Sequence, residues 1–327
     1  KPHLQFFRRM VLIRCRLVKP NLLLILKNFY VRHSLKCCSD MSKYYALIAG
    51  LPNISLEDSK ITYSVLSFRE ELEGILTHGD KKLIDLFYLK FDNINLKYYS
   101  KWHDQDPDPR SRIPYEAFND IIQAIKDGEK PKRNKLVPSY FVEFIYLYIS
   151  NQDKEEIISW EDRLSSLYYE YAMKCSNKFV ANWFELNLNI NNILAAITCR
   201  KFGLDKESYI LGNNEVAQSI CKSNARDFEL GDAVDYLPEL LRIAEETDLM
   251  LREKKIDLLK WNWLEENTFF KTFDIESVFA YLLKLEMIER WVTLDKDAGE
   301  KTFRSLVKGM KKGSVSALEE FKRNNNK

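Results

Sequence analysis

Phe91-Asp92-Asn93-Ile94-Asn95-Leu96 is the phrase from which the fold is read, because it returns twice. It comes back as Leu188-Asn189-Ile190-Asn191-Asn192-Ile193 and as Phe273-Asp274-Ile275-Glu276-Ser277-Val278. The shared pattern is an apolar residue, Asp or Asn, two residues, Asn or Ser, and an apolar residue. The anchors Asp92, Asn189 and Asp274 lie 97 and 85 residues apart. Spacings this long fit three copies of a helical module better than a short-repeat solenoid. Asp and Asn are also common helix N-caps, so the competing reading is chance recurrence of ordinary helix starts. On both readings Asp92, Asn189 and Asp274 are expected to be structural caps, each accepting from a backbone amide two or three residues on. The apolar flanks would pack each helix entry as a hydrophobic staple does.

Working outward from the phrase, breakers are scarce: 9 Pro and 10 Gly in 327 residues. No proline lies between Pro138 and Pro238 and none follows Pro238. Helix interiors exclude both residues, so the chain is expected to be all-α. Periodicity agrees. Ile275, Val278, Phe279, Leu282 and Leu285 recur at helical spacing, as do Leu164, Leu167, Tyr168, Tyr171 and Cys175. The Phe141–Ile149 run is apolar on nearly all sides and reads as a buried helix, too short to span a bilayer. Loops are expected at Trp102–Pro114, Asp127–Pro138 and Gly203–Gly212, with Gly203 capping the helix before it, and around Gly231. These breaks divide the chain into helical lobes at 41–135, 136–230 and 231–327, each holding one copy of the phrase.

The net charge of +2 hides an asymmetry. Residues 1–40 carry nine Lys/Arg against Asp40 alone, so the leader is +8 and the remainder −6. The leader's apolar stretch Asn21–Leu26 is too short for a signal peptide, and Arg14, Arg16, Lys19, Pro20 and Lys27 interrupt any membrane span. Met41 opens a sequence that looks like an ordinary protein start. Residues 1–40 are therefore expected to lie outside the fold, as sequence translated from upstream of the true start. Cys175, Cys199 and Cys221 lack close spacing and fit reduced thiols.

Chemistry-bearing motifs are sparse. No GxG occurs, and Gly299-Glu300-Lys301-Thr302 lacks the upstream glycine of a phosphate loop. No paired Cys-x-x-Cys, His-Glu-x-x-His or Gly-x-Ser-x-Gly appears. Asp104-Gln105-Asp106-Pro107-Asp108 alternates like a calcium loop but has Pro109 and Tyr115 where glycine and glutamate belong. Lys130, Lys132, Arg133 and Lys135 form a basic patch on an acidic body, which is no footprint for nucleic acid. The expectation is a non-enzyme with no cofactor, no metal, no nucleic-acid partner and no direct membrane insertion.

Trp183-Phe184-Glu185-Leu186-Asn187-Leu188-Asn189-Ile190-Asn191-Asn192-Ile193-Leu194 resembles the recurring signature of the central-stalk adaptor family of V-type and A-type ATPases (the C/d family). Ser277–Arg290 is similar to that family's C-terminal helix, in which Ala-Tyr (here Ala280-Tyr281) is followed by Glu and a basic residue. A wider resemblance covers nearly the whole body. Tyr44–Pro52, Leu83–Asn93 and Ser223–Phe228 look like an uncharacterised bacterial family encoded beside V-type ATP synthase subunits. The chain departs from the adaptor pattern at Asn189 (for Asp), Thr198 (often Arg), Ser277 (for Asn) and a late cation, Arg200.

The resemblance implies an all-helical funnel of three similar lobes without catalytic residues. It implies a cytoplasmic protein, peripheral to the inner membrane, that couples the central stalk to the membrane rotor ring. Interfaces of this kind concentrate their energy in aromatic and Arg anchors, and Trp261, Trp263 and Arg226 are the candidates. The alternative is a helical scaffold unrelated to the ATPase.

Overall fold

The computed structural model describes residues 44–294 apart from 59, 62, 102–105, 152–158, 232 and 272, and only the backbone of 98–101. The leader 1–40, Asp104, Gln105 and Gly299–Thr302 lie outside the described residues. Among those described, the structure is all-helical, with no strand.

Within the described residues, a short helical segment at 44–50 precedes ten further α-helices. These are α1 (Val65–Leu72), α2 (His78–Lys101), α3 (Tyr115–Lys126), α4 (Ser139–Ser150), α5 (Trp160–Met173), α6 (Lys178–Phe202), α7 (Glu215–Lys222), α8 (Leu237–Ala244), α9 (Leu249–Thr268) and α10 (Ile275–Thr293). A 3-10 turn, Lys206–Ser208, follows α6. The proline- and glycine-bearing breaks fall where the sequence placed them. α2 ends before the Trp102–Pro114 loop, α3 before Asp127–Pro138, and α6 before Gly203–Gly212. Gly203 has φ 66° and its N–H bonds the Cys199 carbonyl, so it is the left-handed cap of α6.

Short polar side chains start several helices. Ser64, Ser159, Asn177, Asn214 and Asp248 each accept from a backbone N–H of the first turn of α1, α5, α6, α7 and α9.

Helix packing runs in two linked sets. α2 packs on α3 and α5, α4 on α3 and α5, and α5 on α6. α6 also meets α7, α8 and α10, and α10 meets α9 and α1. One continuous apolar core therefore runs from Tyr44 to Ile288. Its joints are aromatic: Tyr168 lies 5.5 Å from Phe184, Phe184 6.5 Å from Phe279, and Phe68 5.3 Å from Tyr281.

The apolar stripes are confirmed, since Val278, Phe279, Leu282 and Leu285 are buried, as are Leu164 and Tyr168. The Phe141–Ile149 helix departs from expectation. Phe141, Phe144 and Ile145 are buried, but Tyr146 is exposed. α4 lies across α3 and α5 with one side left to solvent, so its all-round apolarity comes from amphipathic Tyr rather than full burial. Cys175, Cys199 and Cys221 are free thiols.

Candidate functional site: buried clamps and a charged seam

The phrase residues sit at the centres of helices. Asp92 lies 14 residues into α2 and Asn189 lies 11 into α6. Neither is an N-cap, and the capping expectation is corrected for both. Mid-helix amides already bond the carbonyl one turn back, so no free donor remains for a local cap. The two side chains reach outward instead. Asp92 Oδ1 accepts from the backbone N–H of Arg112 at 2.7 Å and of Ile113 at 2.8 Å. One turn on, Asn95 Oδ1 accepts from the Asp108 N–H at 2.9 Å. Between them, Asn93 accepts from the Tyr140 hydroxyl at 2.7 Å. The loop that follows α2 is thus stitched to the middle of α2.

α6 repeats the device. Asn189 Oδ1 accepts from Asn214 Nδ2 at 2.8 Å, and Asn214 itself caps α7. Asn192, three residues on, donates to the Leu211 carbonyl at 2.8 Å and accepts from the Leu211 N–H at 2.9 Å. Asp92, Asn95, Asn189 and Asn192 are all buried. The second and fifth positions of the phrase therefore do one job in both helices: they hold the loop that leaves the helix.

The third copy does not. Asp274 stands at the N-cap of α10, but its side chain makes no capping bond. Asp248 is the effective cap nearby, accepting from Met250 and Leu251 N–H at 2.8 and 3.1 Å. Asp248→Ala is expected to cost about 1–2 kcal/mol, and Asp274→Ala less than about 0.5, since only the former loses a capping bond. Parallel urea titrations would show this, and equal costs would contradict it. The buried mid-helix acid of the C-terminal region is Asp257 in α9, which the sequence reading missed. It accepts from the Arg290 guanidinium and, at 2.7 Å, from the Trp291 indole. The available signal was Ile256-Asp257-Leu258-Leu259-Lys260-Trp261, with the same apolar–Asp–x–x–polar–apolar order.

A charged seam joins the N-terminal helices to α10. Lys90 pairs with Glu286 at 2.7 Å and lies over the Phe87 ring. Burial would raise the Glu286 carboxyl, but Lys90, with Arg290 and Lys260 behind it, holds it below its ordinary value. Arg110 bonds Asp108 at 2.7 Å, approaches Glu289 at 3.6 Å and covers the Phe91 ring. Glu289 also accepts from the Val65 N–H at 2.7 Å, capping α1 from across the molecule. Arg112 pairs with Asp85, and Arg69 donates to the carbonyls of Arg110 and Ser111.

The expected partner anchors divide. Trp261 is 7% exposed and its indole donates to Glu265 at 2.8 Å. Trp263 is half-buried, stacked on Phe179 at 5.5 Å and beside Trp183 at 5.9 Å. Trp261 is therefore a core residue and no surface anchor, and most of Trp263 goes into packing. Arg226 is exposed and pairs with Glu245 at 3.2 Å. It sits on a loop gripped by Arg200, which donates to the carbonyls of Ala225 and Arg226 and lies over the Phe228 ring. Phe228 and Glu229 both have positive φ, 55° and 59°, a costly conformation for residues with a Cβ. The prominent exposed aromatics are Phe269 and Phe270 at the end of α9, 74% and 91% exposed.

Among the described residues no group of three or more His, Cys, Asp or Glu is placed to hold a metal ion. A cavity of about 170 Å³ lies between residues 52–63 and α10, lined by Ile54, Asp58, Lys60, Ile61, Leu285 and Ile288. It is smaller than the usual small-molecule site. What the arrangement does chemically is to fix loops and helix ends rigidly.

No curated protein and no solved structure matches the chain. The family model described as "Protein of unknown function (DUF2764)" matches residues 41–314, and the chain belongs to that family.

Proposed function

We propose that this protein is a non-catalytic adaptor of a bacterial V-type ATP synthase, seated between the central stalk and the membrane rotor ring and passing torque between them. The observation that carries the reading is the pair of mid-helix clamps. A torque-bearing body must keep its loops from yielding, and here the loops after α2 and α6 are bonded to buried helix centres by Asp92, Asn95, Asn189 and Asn192. Those clamps lie within the residues that resemble the ATPase adaptor family and its neighbour-encoded relatives. In this reading the lobes at 41–135, 136–230 and 231–327 form a funnel, and α2 and α6 are equivalent elements of its first two lobes. No helix among the described residues is long and apolar enough to cross a membrane. The proposed contact with the membrane therefore runs through the ring.

Phe269 and Phe270 replace the tryptophans as proposed anchors, because their exposure leaves their apolar area free for a partner. Changing both to serine is expected to leave the melting temperature unchanged while weakening retention on ring-containing membranes about tenfold or more, as loss of an aromatic hot spot does. The decisive experiment strips the protein from membranes and adds it back. Return of ATP-driven ion transport on re-addition supports the adaptor. Membranes that keep a fully coupled ATPase head without this protein would defeat it. The exposed aromatic pair equally suits a helical scaffold for other partners. A pulldown that recovers no ATPase subunits would favour that second reading.

A further inference from the structure

We propose that the Asp92 carboxyl is a pH-sensitive latch on the loop of residues 106–113, closing it on the middle of α2 when protonated and loosening it when charged. Asp92 is fully buried, and only one of its oxygens is used. Oδ1 takes the N–H groups of Arg112 and Ile113, while Oδ2 meets no donor. One turn along the same helix face, Asn95 Nδ2 is also buried without an acceptor. A buried carboxylate with an unsatisfied oxygen is costly, and a neutral carboxyl much less so. The charged form is relieved if the two amides let go and water reaches Oδ2. The loop stays near through Arg69 and the pairs Arg110–Glu289 and Arg112–Asp85. Release is thus local, confined to the backbone bonds at 112 and 113.

The groups around Asp92 set the direction. Arg112 in the loop and Arg69 from α1 favour the charge. Tyr140 from α4 and Tyr168 from α5 face it from the other side, both held neutral by burial. Asp85, on its own helix, is occupied by Arg112. Burial outweighs the two amides and the two arginines, and pushes the carboxyl up from 3.8 to about 6. A group raised in the folded state favours that state most strongly below its ordinary value, and the advantage is lost as pH rises through about 6. The latch therefore tightens on acidification and loosens above neutrality. Nothing in it requires a rotary partner.

The test is amide hydrogen exchange on the full chain by NMR, read as protection factors so that intrinsic base catalysis is removed. Between pH 5 and pH 8, protection of Arg112 and Ile113 is expected to fall about tenfold by proton linkage. The Leu211 amide, held by the non-titrating Asn192, should stay flat. In Asp92→Asn, which keeps an oxygen for both amides, the dependence at 112 and 113 should vanish. Independently of any variant, the Asp92 carboxyl carbon of the wild-type protein should titrate near pH 6. A midpoint near 4 would overturn the latch, as would flat protection in the wild type or an unchanged fall in Asp92→Asn.

Discussion

Phe279→Ala is expected to remove about 4 kcal/mol of stability, within the range for truncating a fully buried Phe. Phe279 has no exposed surface and stands in α10, the helix that touches α1, α9 and α6. Its ring faces Phe184 of α6 at 6.5 Å, and Phe184 in turn meets Tyr168 of α5. The void would open where three helices converge, each fixed by its own packing, so little collapse can fill it. A domain is stable by about 5–15 kcal/mol in total, so the variant should populate unfolded chain readily. Guanidinium or urea titration measures the loss, and a cost under about 1 kcal/mol would mean that the joint repacks.

Asn192→Leu is expected to cost about 3 kcal/mol, because one substitution strands two backbone groups. The amide of Asn192 imitates a peptide, giving to the Leu211 carbonyl and taking from the Leu211 N–H. Leucine fills similar space and supplies neither bond. Asn191, the exposed neighbour whose amide reaches only the Tyr169 hydroxyl, is the control. Asn191→Leu should stay within about 0.5 kcal/mol, as exposed substitutions usually do. Equal effects at the two positions would show that the clamp is not what stabilises the loop.

Those two residues also show where the sequence is legible. The core faces are, because Val278, Phe279, Leu282 and Leu285 must recur at helical spacing to reach a neighbour. The loop positions are, because Pro107, Pro109, Pro114 and Gly203 cannot sit inside a helix. The phrase itself is visible, but its role is not. Asp and Asn at helix ends answer to local amides, and local preference is all that a short pattern conveys. At positions 92 and 189 the partners come from residues about 20 and 25 further on, which only the folded chain brings close. The better clue is the second polar residue. Asn95 and Asn192 follow at a spacing of three, which puts each pair on one helix face among Phe91, Leu96, Leu188 and Ile193. Two polar residues on an apolar face need partners from elsewhere. Trp261 misleads for the opposite reason: large aromatics suit cores and interfaces alike, and composition does not separate the two fates.

The Val65–Glu289 bond has a consequence for the order of events during synthesis. The clamps at Asp92, Asn95, Asn189 and Asn192 close spans of only 13 to 25 residues. Each can form while the ribosome is still adding the next helix. The bond that starts α1, and the one from Tyr281 to the Pro52 carbonyl, span 224 and 229 residues. Contacts between distant parts of a chain pay their loop entropy late. The first helix to leave the ribosome thus has no seat until α10 has emerged, and Val65, Phe68 and Leu72 stay uncovered until then. A nascent chain halted before residue 275 should therefore hold most of its helices but expose its first one to chaperones and proteases.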